Sequence, residues 1–180
     1  MLKNKRNLIL LVILVLIASG CSSLIVEDTI IEENILDNEY GSFGALEDPE
    51  FTIEEMLTYA IQDEYLAKAE YELIVQEFEI NRPFTNIIRS EKNHVQLLLP
   101  LFDTYDIDVP ANTAENHIVL PETLKEVFEI AVQAEINNIA MYNLFLSEDL
   151  PEDLQTSFVF LRDASVSHLA AFQNNLNRYQ

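Results

Sequence analysis

The 180-residue sequence predicts an all-α domain, a four-helix bundle with one long crossover between its second and third helices. Three observations carry this. Four stretches beyond residue 50 repeat apolar residues at helical spacing. Short links join the first to the second and the third to the fourth, whereas the middle link is long, which describes two helical hairpins and a crossover. No stretch shows the alternation of a strand.

The first predicted helix opens on Thr52-Ile53-Glu54-Glu55, a capping box, and runs to about Glu79. Its stripe is Leu57, Ile61, Glu64, Tyr71, Val75 and Phe78. Asn81-Arg82-Pro83 breaks it. The second helix runs from there toward Tyr105 on Phe84, Ile87, Ile88, Val95, Leu98 and Phe102, and Pro100 is expected to kink it or end it early. The connection Asp106 to Leu120 holds His117, read as a loop histidine without a role. Pro121-Glu122 reads as the start of the third helix, with proline in the first turn. That helix carries Leu124, Phe128, Ala131, Glu135, Ile139, Tyr142 and Phe145 on one stripe. After a tight break, Pro151 opens the fourth, with Leu154, Phe158, Leu161, Ser165, His168, Phe172 and Leu176.

The N-terminus reads as a targeting segment. Lys3, Lys5 and Arg6 precede an apolar run from Leu8 to Ile17, too short to span a bilayer comfortably. Ala18-Ser19-Gly20 then leads into Cys21, the single cysteine. This order resembles a bacterial lipoprotein signal with its lipobox. The resemblance implies that residues 1–20 are removed and that Cys21 receives lipid, giving a membrane as partner and the cell envelope as location. Several acyl chains anchor stably where one does not. With Ser22 next, the outer membrane is expected in a two-membrane cell, and an outward-facing position in a one-membrane cell. The alternative is an ordinary signal peptide or a short anchor with an incidental cysteine. Residues 21–49 read as an acidic tether in which Gly41-Ser42-Phe43-Gly44 interrupts any regular element, and residues 50–180 as the folded domain.

Cleavage sharpens the charge. Three of the ten basic residues precede Cys21 and all thirty-one acidic residues follow it, so the mature chain carries about −24. That excludes nucleic acid as a partner and disfavours lying flat on an anionic membrane.

The chemistry lies in the stripes. Glu91 and His94 stand three apart on one helical face, inside the apolar stripe rather than opposite it. A carboxylate there is costly unless it is paired, hydrogen-bonded or metal-bound. The other stripes add Glu64, Glu135 and His168. Tyr71 follows Glu64 by seven residues and Tyr142 follows Glu135 by seven, two helical turns in each case, so the chain shows a weak internal duplication. The metal-free alternative is a hydrogen-bonded Glu91–His94 pair with core tyrosines.

This pattern resembles the ferritin-like superfamily of di-metal carboxylate bundles. Glu91-Lys92-Asn93-His94, the later Asp106-Ile107-Asp108-Val109-Pro110, and Ser165 to Phe172 resemble more narrowly the domain-of-unknown-function family 2202, over about residues 50–178. The resemblance implies iron or manganese as cofactor. Glu64 and Glu135 would be terminal ligands, Glu91 a bridge, and His94 and His168 one imidazole ligand each. Tyr71 and Tyr142 would orient ligands or supply an electron. The chain departs from the family at Ser165, where a second bridging glutamate is expected. The centre is then a weakened di-metal site, a single-metal site or a relic. The implied activity is a metal-dependent oxidoreductase acting on dioxygen or peroxide. The competing function is a metal-free helical module of the envelope. A homo-dimer is the self-assembly considered; a closed iron-storing shell is not expected.

Overall fold

The computed structural model describes residues 39–179, which are all-helical, with no strand among the described residues. The expected signal peptide, Cys21 and most of the expected tether lie outside them. The helices are α1 (Gly41–Glu47), α2 (Ile53–Phe78), α3 (Phe84–Thr104), α4 (Leu124–Phe145) and α5 (Glu152–Leu176), with a short 3-10 turn at Ala114–His117. No helix among the described residues is long and apolar enough to cross a membrane.

Local chemistry sets the helix ends. At α2 the Thr52 hydroxyl accepts from the Glu55 N–H at 3.2 Å, and the Glu55 carboxylate accepts from the Thr52 N–H at 2.7 Å. The same reciprocal pair, Thr123 with Glu126, opens α4. Such a cap contributes about 1 kcal/mol, and it moves the start of α4 from the expected Pro121 to Leu124, leaving the proline outside. Helix α3 runs to Thr104, close to the expected Tyr105, and Pro100 does not end it early. Pro100 and Gln96, whose carbonyl it leaves unpaired, are both exposed residues, so water can replace the lost bond. The Thr104 hydroxyl donates to the Pro100 carbonyl at 2.9 Å across the last turn.

The core has two apolar clusters. One gathers Leu57, Ile61, Leu98, Phe102, Tyr142, Phe145 and Phe158. The other gathers Tyr71, Ile74, Phe84, Phe128 and Phe172. Along α2 and α5 the chain passes from the first cluster to the second, and along α3 and α4 from the second to the first. Helices α2 and α3 are therefore antiparallel, as are α4 and α5, while α3 and α4 run the same way. The 105–123 connection must span the length of the helices, about 30 Å for α4 at 1.5 Å per residue. Between the clusters each long helix carries a polar stretch, and those stretches form the site.

The expected tether is corrected at its C-terminal end. Residues 41–47 form α1, packed on α2 and α4. The glycines read as helix breakers are what permit this approach. Gly41 adopts a left-handed φ of 59°, and its N–H donates to Gln62 Oε1 at 3.1 Å. The Ser42 N–H donates to Asp63 Oδ1 at 2.7 Å. A Cβ at Gly44 would stand 2.6 Å from the Glu39 backbone and 2.7 Å from the Tyr59 ring, closer than atoms pack. His117 is corrected too: its ring stacks on Tyr40 with centroids 4.0 Å apart, clasping the crossover to the segment before α1. This pairing joins two stretches far apart in sequence, where helical periodicity gives no signal.

Gly44→Ala is expected to loosen α1 by about 1–3 kcal/mol through this overlap while the four long helices stay folded. Hydrogen exchange measures it: amides of residues 41–47 should exchange about tenfold faster or more, with α2–α5 protection kept. Unchanged exchange in α1 would show that the close approach does not hold it.

Candidate metal centre

The five predicted ligands converge. Glu64 comes from α2, Glu91 and His94 from α3, Glu135 from α4 and His168 from α5, and all are buried. They form two triads that share Glu91: Glu64, Glu91 and His94, then Glu91, Glu135 and His168. His94 Nδ1 lies 3.0 Å from Glu64 Oε2 and 2.7 Å from Glu91 Oε2. His168 Nδ1 lies 3.0 Å from Glu91 Oε1 and 3.6 Å from Glu135 Oε1. Glu91 thus turns one oxygen to each histidine.

The tyrosines cross over. Tyr71 follows Glu64 on α2 yet donates its hydroxyl to Glu135 Oε1 on α4, at 2.9 Å. Tyr142 follows Glu135 on α4 yet donates to Glu64 Oε1 on α2, at 2.8 Å. The sequence duplication is therefore a near-symmetric exchange in which each half's tyrosine fixes the other half's carboxylate. The Ser90 hydroxyl lies 3.0 Å from His94 Nε2 and orients that ring from one turn earlier on α3. Four-residue spacing could have found Ser90.

Ser165 is buried in the same layer but bonds elsewhere. Its hydroxyl lies 2.8 Å from Asn138 Oδ1 and 3.2 Å from the Leu161 carbonyl. Asn138 in turn donates to Asp63 Oδ2. Sequence reasoning missed both partners. Asn138 was legible, three residues after Glu135 on the same face. Asp63 was not, because it lies off the α2 stripe and is covered by α1, a helix that the sequence reading did not foresee. Asp163, near Ser165 in sequence, is exposed and pairs with Arg162.

Burial opposes charge throughout the cluster. It raises the carboxyls of Glu64 and Glu135, with the Glu91 charge adding to it. Burial works against Glu91 as well, but His168 and His94 outweigh it and hold that carboxyl below its ordinary range. Desolvation disfavours both imidazoliums, yet the carboxylates around them win and push His94 and His168 up to about 10.

The arrangement fits a metal ion on two grounds. Ligand atoms about 2.1 Å from a common ion stand about 3 Å apart at right angles, and the carboxylate–imidazole spacings are 2.7 to 3.6 Å. His168 Nδ1 also has no hydrogen-bond partner among the described residues, although carboxylate oxygens stand at ion-pair distance. A buried nitrogen facing carboxylates off the hydrogen-bond line leaves room for a shared cation between them. The donor set, three carboxylates and two imidazoles, suits iron, manganese or zinc.

The histidine shifts set a pH dependence for the protein held in chelator. Their folded values lie above the ordinary 6.5, so the stability they contribute is full below about 6.5 and lost as pH rises through 10. Thermal melts followed by circular dichroism should show the midpoint falling across that window. A midpoint that rises there is incompatible with carboxylate-paired imidazoliums.

No protein-family model and no curated protein matches the chain. Among solved structures, the chain is similar to a hypothetical protein from Methanococcus jannaschii DSM 2661. The TM-score is 0.63 at 20% sequence identity, over 73% of this chain and 85% of that one, a likeness of fold.

Proposed function

We propose that this chain is a ferritin-like metalloprotein that holds iron or manganese between α2, α3, α4 and α5 and is tethered to the cell envelope by lipid on Cys21. The observation that carries the metal reading is the shared Glu91, with one oxygen toward each histidine and a further glutamate completing each triad. The ferritin-like topology is supported by the parallel course of α3 and α4 and the connection it demands. The anchor rests on the order of basic, apolar and small residues before Cys21.

In this reading Glu64, Glu91 and Glu135 would hold the metal through carboxylate oxygens, with Glu91 common to both triads, and His94 and His168 would each offer Nδ1. Tyr71 and Tyr142 hold the Glu135 and Glu64 carboxylates in place. Ser90 bonds the far nitrogen of His94 and leaves Nδ1 free to ligate. A bound iron or manganese would supply one-electron chemistry toward dioxygen or peroxide. Three carboxylates do not neutralise two divalent ions, so the set suits one ion, or two with an added hydroxide or carboxylate. Ser165, bonded to Asn138, supplies no charge to either triad.

The metal-free reading, a helical module of the envelope, has one observation in its favour. With protons as the only cations, two imidazoliums offset most of the charge on three carboxylates. Elemental analysis of the chain, purified without a metal-affinity tag and loaded with Fe(II), Mn(II) or Zn(II), separates the two. Near-stoichiometric metal is expected in the native protein. Glu91→Gln, which keeps shape and removes charge, should lose it at unchanged helicity. One ion against two per chain decides what Ser165 means. Equal and negligible metal in both proteins would sink the metalloprotein reading.

A further inference from the structure

Beside the polar layer lies a second feature that the metal reading does not use. A cavity of about 300 Å³ opens between α1, α2, the Ala114–His117 turn and α4. Its walls are mostly apolar, with Phe43, Leu66, Ala67, Val119, Ile130 and Ala134 among them, and the Tyr40–His117 stack stands at one side. Two carboxylates also line it, Asp63 and Glu70, both more than nine-tenths buried.

The two acids differ. Asp63 is satisfied, with Oδ1 accepting from the Ser42 N–H and Oδ2 from Asn138. Glu70 lines the cavity and has no hydrogen bond and no ion pair among the described residues. The Tyr40 hydroxyl, also on the cavity wall, is buried without a hydrogen bond among the described residues. The Glu70 side chain is mostly buried, and its carboxylate is left to the cavity, where a cation would offset the cost of its desolvation.

We propose that this cavity binds a small organic ammonium ion, its charged head on Glu70 and its hydrocarbon body against Leu66, Ala67, Ile130 and Ala134. Charge selects a cation, because the Glu70 carboxylate borders the space and no lysine or arginine lines it, the one basic side chain there being His117, which stacks on Tyr40. The walls select an organic one. A metal ion wants several hard oxygen ligands, and only Glu70 has a carboxylate without partners. The size corresponds to a single ring or a short alkyl chain, at the small end of ligand pockets, about 300–1,000 Å³. Burial and the charges of Asp63 and Glu135 also push the Glu70 carboxyl up to about 7, a cost that a bound ammonium relieves. The site is separate from the metal reading, since Glu70 belongs to neither triad.

Calorimetric titration of the full-length chain with benzylamine and with benzyl alcohol tests this, the two probes sharing shape and differing in charge. The amine should bind at least about tenfold more tightly, the value of a charged hydrogen bond. Glu70→Gln should erase that preference at unchanged thermal midpoint. Ala134→Leu, which fills the space, should abolish binding of both probes. Methyl resonances of Ala67 and Ala134 should shift with the amine. Equal binding of amine and alcohol, a preference that survives Glu70→Gln, binding that survives Ala134→Leu, or no binding of either probe at millimolar concentration would each overturn the assignment.

Discussion

The structure depends on placing five ionisable groups in one buried layer. Glu64, Glu91, His94, Glu135 and His168 lie between two apolar clusters, and each is tolerable there only because the others are present. Leaving one member of a buried charge pair alone costs about 3–5 kcal/mol. The layer therefore fixes the register of all four long helices. Sliding one by a turn, about 5.4 Å, would bring carboxylates against apolar side chains and strand imidazoles without counter-charges. Apolar packing above and below tolerates substitutions of similar volume, whereas the polar layer does not.

The crossed tyrosines extend that constraint. Because Tyr71 serves Glu135 and Tyr142 serves Glu64, the carboxylates of one hairpin are held by the other. The cluster cannot be completed within either hairpin alone. This arrangement holds the Glu64 and Glu135 carboxylates in place, since each loses rotational freedom to a tyrosine hydroxyl. It also explains how one glutamate per hairpin partner, with Glu91 between them, presents two nearly equivalent triads from a sequence whose repeat is weak.

Around this centre the α1 segment adds a second polar system. Asp63 connects the two. One oxygen takes the Ser42 N–H from α1, and the other meets Asn138, which leads to Ser165. From Ser165 a hydrogen-bond chain thus runs through Asn138 from the buried polar layer to Asp63 at the wall of the α1 cavity. The nearest extra negative charge is placed behind an amide, outside both triads.

The sequence alone determined the helices and the polar residues buried among them, because both leave periodic marks. Apolar repeats located α2 to α5 within a few residues, and the five polar residues inside those stripes are the five that meet. Their positions were legible because a helix turns side chains at regular intervals, so a polar residue on a core face shows itself. Only the tertiary structure decided the rest. It paired Tyr71 with Glu135 and Tyr142 with Glu64, since spacing reports a face and not the partner opposite. It turned Gly41 and Gly44 from breakers into the close contact of α1 on α2, because a glycine's meaning depends on what approaches it. It carried α3 through Pro100, where exposure lets water replace the lost bond. It gave His117 a stacking partner and Ser165 an amide partner, contacts made between segments far apart in the chain. Local periodicity records which side of a helix is buried, and long-range packing alone records what it is buried against.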